Sequence, residues 1–181
     1  MKKKYIKKFS STNILIRVIW KFFYYIFFRY SPIYFTKYRV LILRLFGAKI
    51  HSSVMVYPSA KIWLPSNLEI NQDSCIGRNV TIYNQGKIII GKKVVISQNS
   101  HLCASSHNYS FRNPVMPLYT SPIDIEDECW ICADSFIGPG VQLKKRTIIG
   151  SRGVMFKNSI KDGIYVGNPA KYLKKRIINK Q

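Results

Sequence analysis

The sequence predicts an all-β solenoid, a parallel β-helix, and three observations carry that prediction. Aliphatic residues recur every six positions at Ile50, Val56 and Ile62, at Ile70, Ile76 and Ile82, and at Ile90, Ile96 and Leu102. They resume at Ile125, Ile131, Ile137, Leu143, Ile149 and Met155. A period of six matches neither a helix nor an alternating strand, but it matches a short strand plus a tight turn, repeated. Second, a small residue stands four positions after each anchor, from Val54 and Ala60 through Ser135, Val141 and Thr147 to Ser159. A narrow, close-packed interior has room for one large and one small side chain per hexad. Third, every third hexad is overlong: Ile62 to Ile70 and Ile82 to Ile90 carry two extra residues, and Leu102 to Ile125 carries seventeen. If three hexads make one triangular coil, all the extra residues emerge at one corner. Residues His107 to Pro122 then form a loop at one edge, where a rigid scaffold usually carries its site. Glycines directly after the anchors, at Gly77, Gly91, Gly138 and Gly150, are expected to supply positive φ for the turns.

The elements fall into three segments. Residues 1–49 are a basic, aromatic helical extension. Residues Met1 to Lys8 form a lysine cluster, and Ile14 to Phe28 follow with Arg17 and Lys21 interrupting the apolar residues. A membrane-spanning helix needs ~20 apolar residues, and the longest unbroken run here is Phe22 to Phe28. The pattern instead fits a helix lying in a membrane interface, a cap on the open end of the solenoid, or both at once. A second helix is expected around Pro32 to Phe46. Residues 50–166 are the hexad region with its loop 107–122. Residues 167–181 contain the turn Gly167-Asn168-Pro169-Ala170, followed by a short basic helix over Lys171 to Asn179.

The 181 residues carry a net charge of +21 and no Asp or Glu before Glu69. Such asymmetry points to an anionic partner such as a membrane surface or a phosphate-rich ligand. Cys75, Cys103, Cys129 and Cys132 show no disulfide spacing. Cys129 and Cys132 sit in and beside interior positions, so the C-x-x-C spacing reads as core rather than redox or zinc chemistry. Free thiols fit a reducing cytoplasm.

Of the three histidines, His51 and His101 lie within coils, whereas His107 opens the long loop. Imidazole is the commonest general base because its pKa lies near operating pH. Asp124, Glu126, Asp127 and Glu128 follow the loop and form a solvated edge from which one acid could orient His107. Asn84 sits at the overlong corner one coil earlier, where it either contacts an acceptor or satisfies turn amides.

These residues also carry a resemblance. The hexads, the loop opening Ser106-His107-Asn108-Tyr109, the run Trp130 to Val141 and the closing Gly167 to Lys171 resemble the hexapeptide-repeat acyltransferases. Arg44 to Ile50, Tyr57 to Trp63 and Asn67 to Ile70 further resemble the colanic-acid-type O-acetyltransferases of bacterial surface polysaccharide synthesis. The resemblance implies a left-handed β-helix and a homotrimer with sites between neighbouring chains. It implies acetyl-CoA as donor and a sugar hydroxyl, lipid-linked or nucleotide-linked, as acceptor; no cluster of acids and histidines reads as a metal site, so no metal is expected. It implies His107 as the base and an oxyanion donor at the Ala133 amide. Trp130, Ala133 and Ser151 match the cofactor channel, Lys157 and Lys174 match basic positions near the nucleotide phosphates, and Gly167, Asn168, Pro169, Ala170 and Lys171 match the adenine end. Asn84, Asn108 and Tyr109 are the acceptor-side candidates.

The free thiols and the basic, aromatic amino terminus together suggest a cytoplasmic protein, peripheral at the inner face of the membrane, and no nucleic-acid partner is expected. The family usually has Asp where this chain has Asn108, so a different group must orient His107. Two alternative readings are an N-acetyltransferase acting on an amino-sugar or small amine, and a non-catalytic basic β-helix that binds membrane or nucleic acid through its charge.

Overall fold

The computed structural model describes residues 3–6, 9–110 and 116–178. Part of the amino-terminal lysine cluster, the middle of the expected loop and the last three residues therefore lie outside the described residues. The chain winds into a left-handed parallel β-helix with three faces. The first face stacks Lys49–Ile50, Leu68–Ile70, Ile88–Ile90, Ile123–Ile125 and Gln142–Leu143. The second stacks Met55–Val56, Cys75–Ile76, Val95–Ile96, Trp130–Ile131, Ile148–Ile149 and Gly163–Val166. The third stacks Lys61–Ile62, Thr81–Tyr83, His101–Cys103, Phe136–Ile137 and Val154–Met155. Anchors pair with anchors: Ile70 meets Ile50 and Ile90, Ile131 meets Ile96 and Ile149, and Ile137 meets Leu102 and Met155.

Every hexad anchor is buried, which places one continuous apolar column along the axis. The small positions are buried too, except Ser66 and Ser106. Both exceptions lie at overlong corners, where Leu68, Ile88 and Ile123 provide a second interior residue two positions before the anchor. Glycine's role differs from the expectation. Positive φ falls three residues after the anchor, on Asp73, Asn79, Lys93, Asn99, Glu128, Asp134, Arg146 and Arg152, polar residues that leave the turn solvated. Gly77 and Gly91 are required instead by the neighbouring coil: an added Cβ would stand 2.8 Å from the Ile96 carbonyl oxygen and 2.7 Å from the Asp127 nitrogen. Cys129 and Cys132 are buried, and loss of hydration pushes the Cys129 thiol up to about 12.

Helical segments close the open end at the first coil. Ser10 caps a helix over Ser11–Phe23 by accepting the Asn13 N–H, and the chain continues as a wider π-type turn over Tyr24–Phe28. Trp20, Tyr24 and Phe28, four residues apart, bury one face against the coil, and the Trp20 indole donates to the Ile62 carbonyl at 2.7 Å. The second helix spans Thr36–Leu45. Its Arg39 is fully buried and donates to the carbonyls of Val56, Pro32 and Ile33 and to the Ser31 hydroxyl. That fork of donors, which suits a planar guanidinium, locks the cap to the prism. No helix among the described residues is long and apolar enough to cross a membrane.

The expected carboxy-terminal helix is corrected. Lys171–Lys175 is a strand, antiparallel to Gly163–Val166. The last coil leaves unpaired backbone groups along its edge, and a strand satisfies them where a helix cannot.

The expectation that Asn84 contacts an acceptor is corrected as well. Its side chain is fully buried; Oδ1 accepts the Leu64 N–H at 3.1 Å and Nδ2 donates to the Leu64 carbonyl at 2.6 Å. It is a rung between overlong corners. Asn84→Ala strands both Leu64 groups in an apolar setting and should lower stability by about 2–4 kcal/mol in chemical denaturation; unchanged stability would contradict the rung.

Candidate active site

The long insertion leaves the prism at the corner between its third and first faces. There Ser105–His107 pairs antiparallel with Leu118–Thr120, His107 opposite Leu118. His107 ends its strand with an exposed imidazole, and its Nδ1 lies 2.7 Å from the Met116 carbonyl oxygen. A carbonyl only accepts, so Nδ1 carries the proton, and in the neutral tautomer the lone pair is on Nε2. The contact is local to the hairpin, reinforced by the Asn108 N–H donating to the Pro117 carbonyl. The Met116 carbonyl does for the ring what an acid after the histidine was expected to do.

Three of the four acids after the loop are engaged elsewhere. Glu126 pairs with Lys144 and accepts the Lys145 N–H, which hold its carboxyl below the usual range. Asp127 accepts the Lys92 N–H, and Glu128 pairs with Lys145. Among the described residues none of them contacts His107. His101 belongs to an aromatic column on the outside of the third face. Trp63, Tyr83, His101, Phe136 and Phe156 follow one another with ring centroids 5.4–6.3 Å apart, and burial lowers the His101 pKa. His51 is exposed at the first coil, with its Nδ1 beside the Ser53 hydroxyl.

Most of the remaining candidates lie on a different side. Trp130, Ile148, Ile164 and Lys174 occupy one register row across the second face. Three strand spacings of ~4.8 Å separate its ends by about 14 Å. Trp130 is half-exposed, and its indole donates to the Ser97 hydroxyl at 2.9 Å. Around the adjoining corner, the Ala133 carbonyl accepts the Arg152 N–H beside Ser151, and the Gly167 carbonyl accepts the Val154 N–H. The N–H groups of Ala133 and Ser151 take no partner among the described residues. Gly167, Asn168, Pro169 and Ala170 turn back at this corner, with the Ala170 N–H on the Val154 carbonyl. Lys171 and Lys174 are exposed here, whereas Lys157 is exposed just past the third-face strand Val154–Met155, at the corner from which the hairpin leaves. The result is a track with an aromatic end, an aliphatic middle and a lysine end.

Comparison with known proteins places this geometry. No protein-family model matches the chain. The Escherichia coli K12 protein named as a colanic acid biosynthesis acetyltransferase, WcaF, is 34% identical over 171 residues, covering 94% of this chain and 93% of its own. The chain belongs to the colanic-acid-type family of hexapeptide-repeat acetyltransferases. It is an acyltransferase. A maltose O-acetyltransferase from Clostridium difficile 630 shares the fold, with a TM-score of 0.81 at 22% identity over 93% of this chain and 90% of that one. So does a Vibrio cholerae hexapeptide-repeat acetyltransferase solved with acetyl coenzyme A, with a TM-score of 0.81 at 23% identity over 93% and 91%.

Within this family member the sequence pattern missed Tyr5. Lys4–Ile6 adds a third strand to the hairpin, with Tyr5 opposite Tyr119. The Asn108 amide donates to the Tyr5 hydroxyl at 2.8 Å while its Oδ1 accepts the Ser110 N–H. Asn108 therefore ties the hairpin to the amino terminus, and Tyr109 beside it is open to solvent. No local periodicity announces a three-residue strand, and its partner lies more than a hundred residues away. Tyr5→Phe removes one hydrogen bond and should speed amide exchange over 105–107 and 118–120 about two- to ten-fold; unchanged exchange would show that the strand does not brace the hairpin.

Proposed function

We propose that the protein transfers an acetyl group from acetyl-CoA to a sugar hydroxyl during synthesis of a bacterial surface polysaccharide, with His107 as general base. The observation that carries this reading is the His107 Nδ1 contact with the Met116 carbonyl, which leaves Nε2 free to take a proton at an exposed edge. A sugar hydroxyl is a weak nucleophile until its proton is removed as the new bond forms. The hydroxyl oxygen attacks the thioester carbonyl carbon, its proton passes to Nε2, the carbon–sulfur bond breaks, and the proton departs with the thiol. An unpartnered turn amide, that of Ala133, suits the oxyanion. The track from Trp130 to Lys174 suits an extended thiol-bearing arm with phosphates at its basic end, Lys171 and Lys174 meeting the nucleotide from the track, Lys157 from the hairpin corner of the neighbouring chain, and Gly167 to Ala170 packing beside it.

The reading includes a homotrimer. The His107 hairpin leaves the corner opposite the second face, whereas Trp130 and Lys174 lie on that face. The base of one chain and the track of the next therefore complete one site. Symmetric closure of such a head-to-tail contact yields a ring.

The reading also includes peripheral attachment at the inner membrane face. Leu15, Val18, Phe22, Tyr25 and Ile26 are more than half exposed on the amino-terminal helix and turn, and every charge before Glu69 is basic. An anionic leaflet attracts that combination.

His107→Ala should cut acetyl transfer about 10²–10⁴-fold while calorimetry shows acetyl-CoA binding retained. Undiminished turnover would end the base assignment.

A further inference from the structure

Where the amino-terminal helix crosses the edge of the third face, it leaves a groove of about 450 Å³. Its floor and walls are aromatic and aliphatic: Trp20, Tyr24, Ile62 and Trp63. Its rim holds three cations from two separate elements, Arg17 and Lys21 from the helix and Lys61 from the first coil. The Arg17 guanidinium lies 4.3 Å over the Trp63 ring. Stacking covers the plane of a guanidinium and leaves its in-plane donors available for a bidentate oxyanion. Among the described residues no carboxylate pairs with any of the three, and no acid precedes Glu69. Beside the rim, Val18, Phe22 and Tyr25 turn apolar surface outward. Uncompensated cations held over an aromatic floor, next to an exposed apolar strip, are complementary to an amphiphile with an anionic head.

We propose that this groove is a headgroup site for an anionic phospholipid, with the phosphate between Arg17, Lys21 and Lys61 and the acyl chains along Val18, Phe22 and Tyr25. The proposal rests on the membrane attachment proposed above and gives it a specific contact. The apolar groove wall and the flanking strip select a lipid over a free phosphate, which uses only the rim.

The test is co-flotation of the full-length protein with phosphatidylcholine vesicles, with and without phosphatidylglycerol. The wild type should float only with the anionic vesicles. Arg17→Glu with Lys61→Glu should weaken that binding at least ~10-fold, while the same charge change at the exposed turn, Lys92→Glu with Lys93→Glu, should alter it less than two-fold. Equal losses in both pairs would reduce the groove to unspecific charge and overturn the proposal, leaving membrane attachment intact. A wild type that ignores anionic vesicles would overturn both. Displacement by millimolar glycerol phosphate would show that the phosphate alone suffices and would overturn the lipid assignment. Light scattering should give the Arg17→Glu, Lys61→Glu protein the molar mass of the wild type; a smaller mass would assign the groove to a contact between chains.

Discussion

The interior of the prism admits one large aliphatic and one short side chain per hexad, and the rest of the structure follows from that packing limit. Interiors at crystal-like density absorb neither an extra methylene nor a gap without cost. Any residue beyond six therefore has to leave the coil, and it leaves where the chain can bend without breaking the ladder. Two added residues are absorbed by a second buried position at the third corner, with Leu68, Ile88 and Ile123 filling it. Seventeen are too many, and among the described residues of this insertion Ser105–His107 pairs with Leu118–Thr120 in the hairpin that carries His107.

The same limit separates the functional groups. The hairpin has one corner available to it, and the row from Trp130 to Lys174 lies on the opposite face. A rigid three-sided column cannot fold its corner onto its far face. The distance between the proposed base and the proposed track is thus a property of the prism, and it is the ground on which the proposal sets the chemistry at a boundary between copies. The two ends are finished by different means. The first coil is closed by aromatic helices pinned through buried Arg39, and the last by the strand Lys171–Lys175. The first cap keeps its outer surface apolar and basic, which gives this end of the molecule a chemistry that the polar coils lack.

What was legible in the sequence is what packing repeats. The anchors, the small positions and the overlong corner could be read because each coil imposes the same requirement. The candidacy of His107 could be read from its place at the one long break, and the structure sets it on the hairpin there. Contacts made once were not legible. Nothing local in Tyr5 foretells a bond to Asn108, and nothing local in Met116 foretells that its carbonyl orients an imidazole nine residues earlier. The lysine-rich end suggested a helix, and the open sheet edge made it a strand. Asn84 had two readings from sequence, and only the positions of the Leu64 amide and carbonyl separate them. The glycines after the anchors were legible as required but not as to why, since the contact that excludes a side chain comes from the next coil.

The central claim is that one working site draws its base from one chain and its track from another. It is tested most directly by mixing two inactive proteins, one carrying His107→Ala and the other Ala133→Trp, and refolding them together. If sites are shared, random assembly of equal amounts should restore about a quarter of the wild-type activity per chain, as closed symmetric rings require. Mixtures as inactive as either parent would place the base and the track of each site in a single chain and contradict the account.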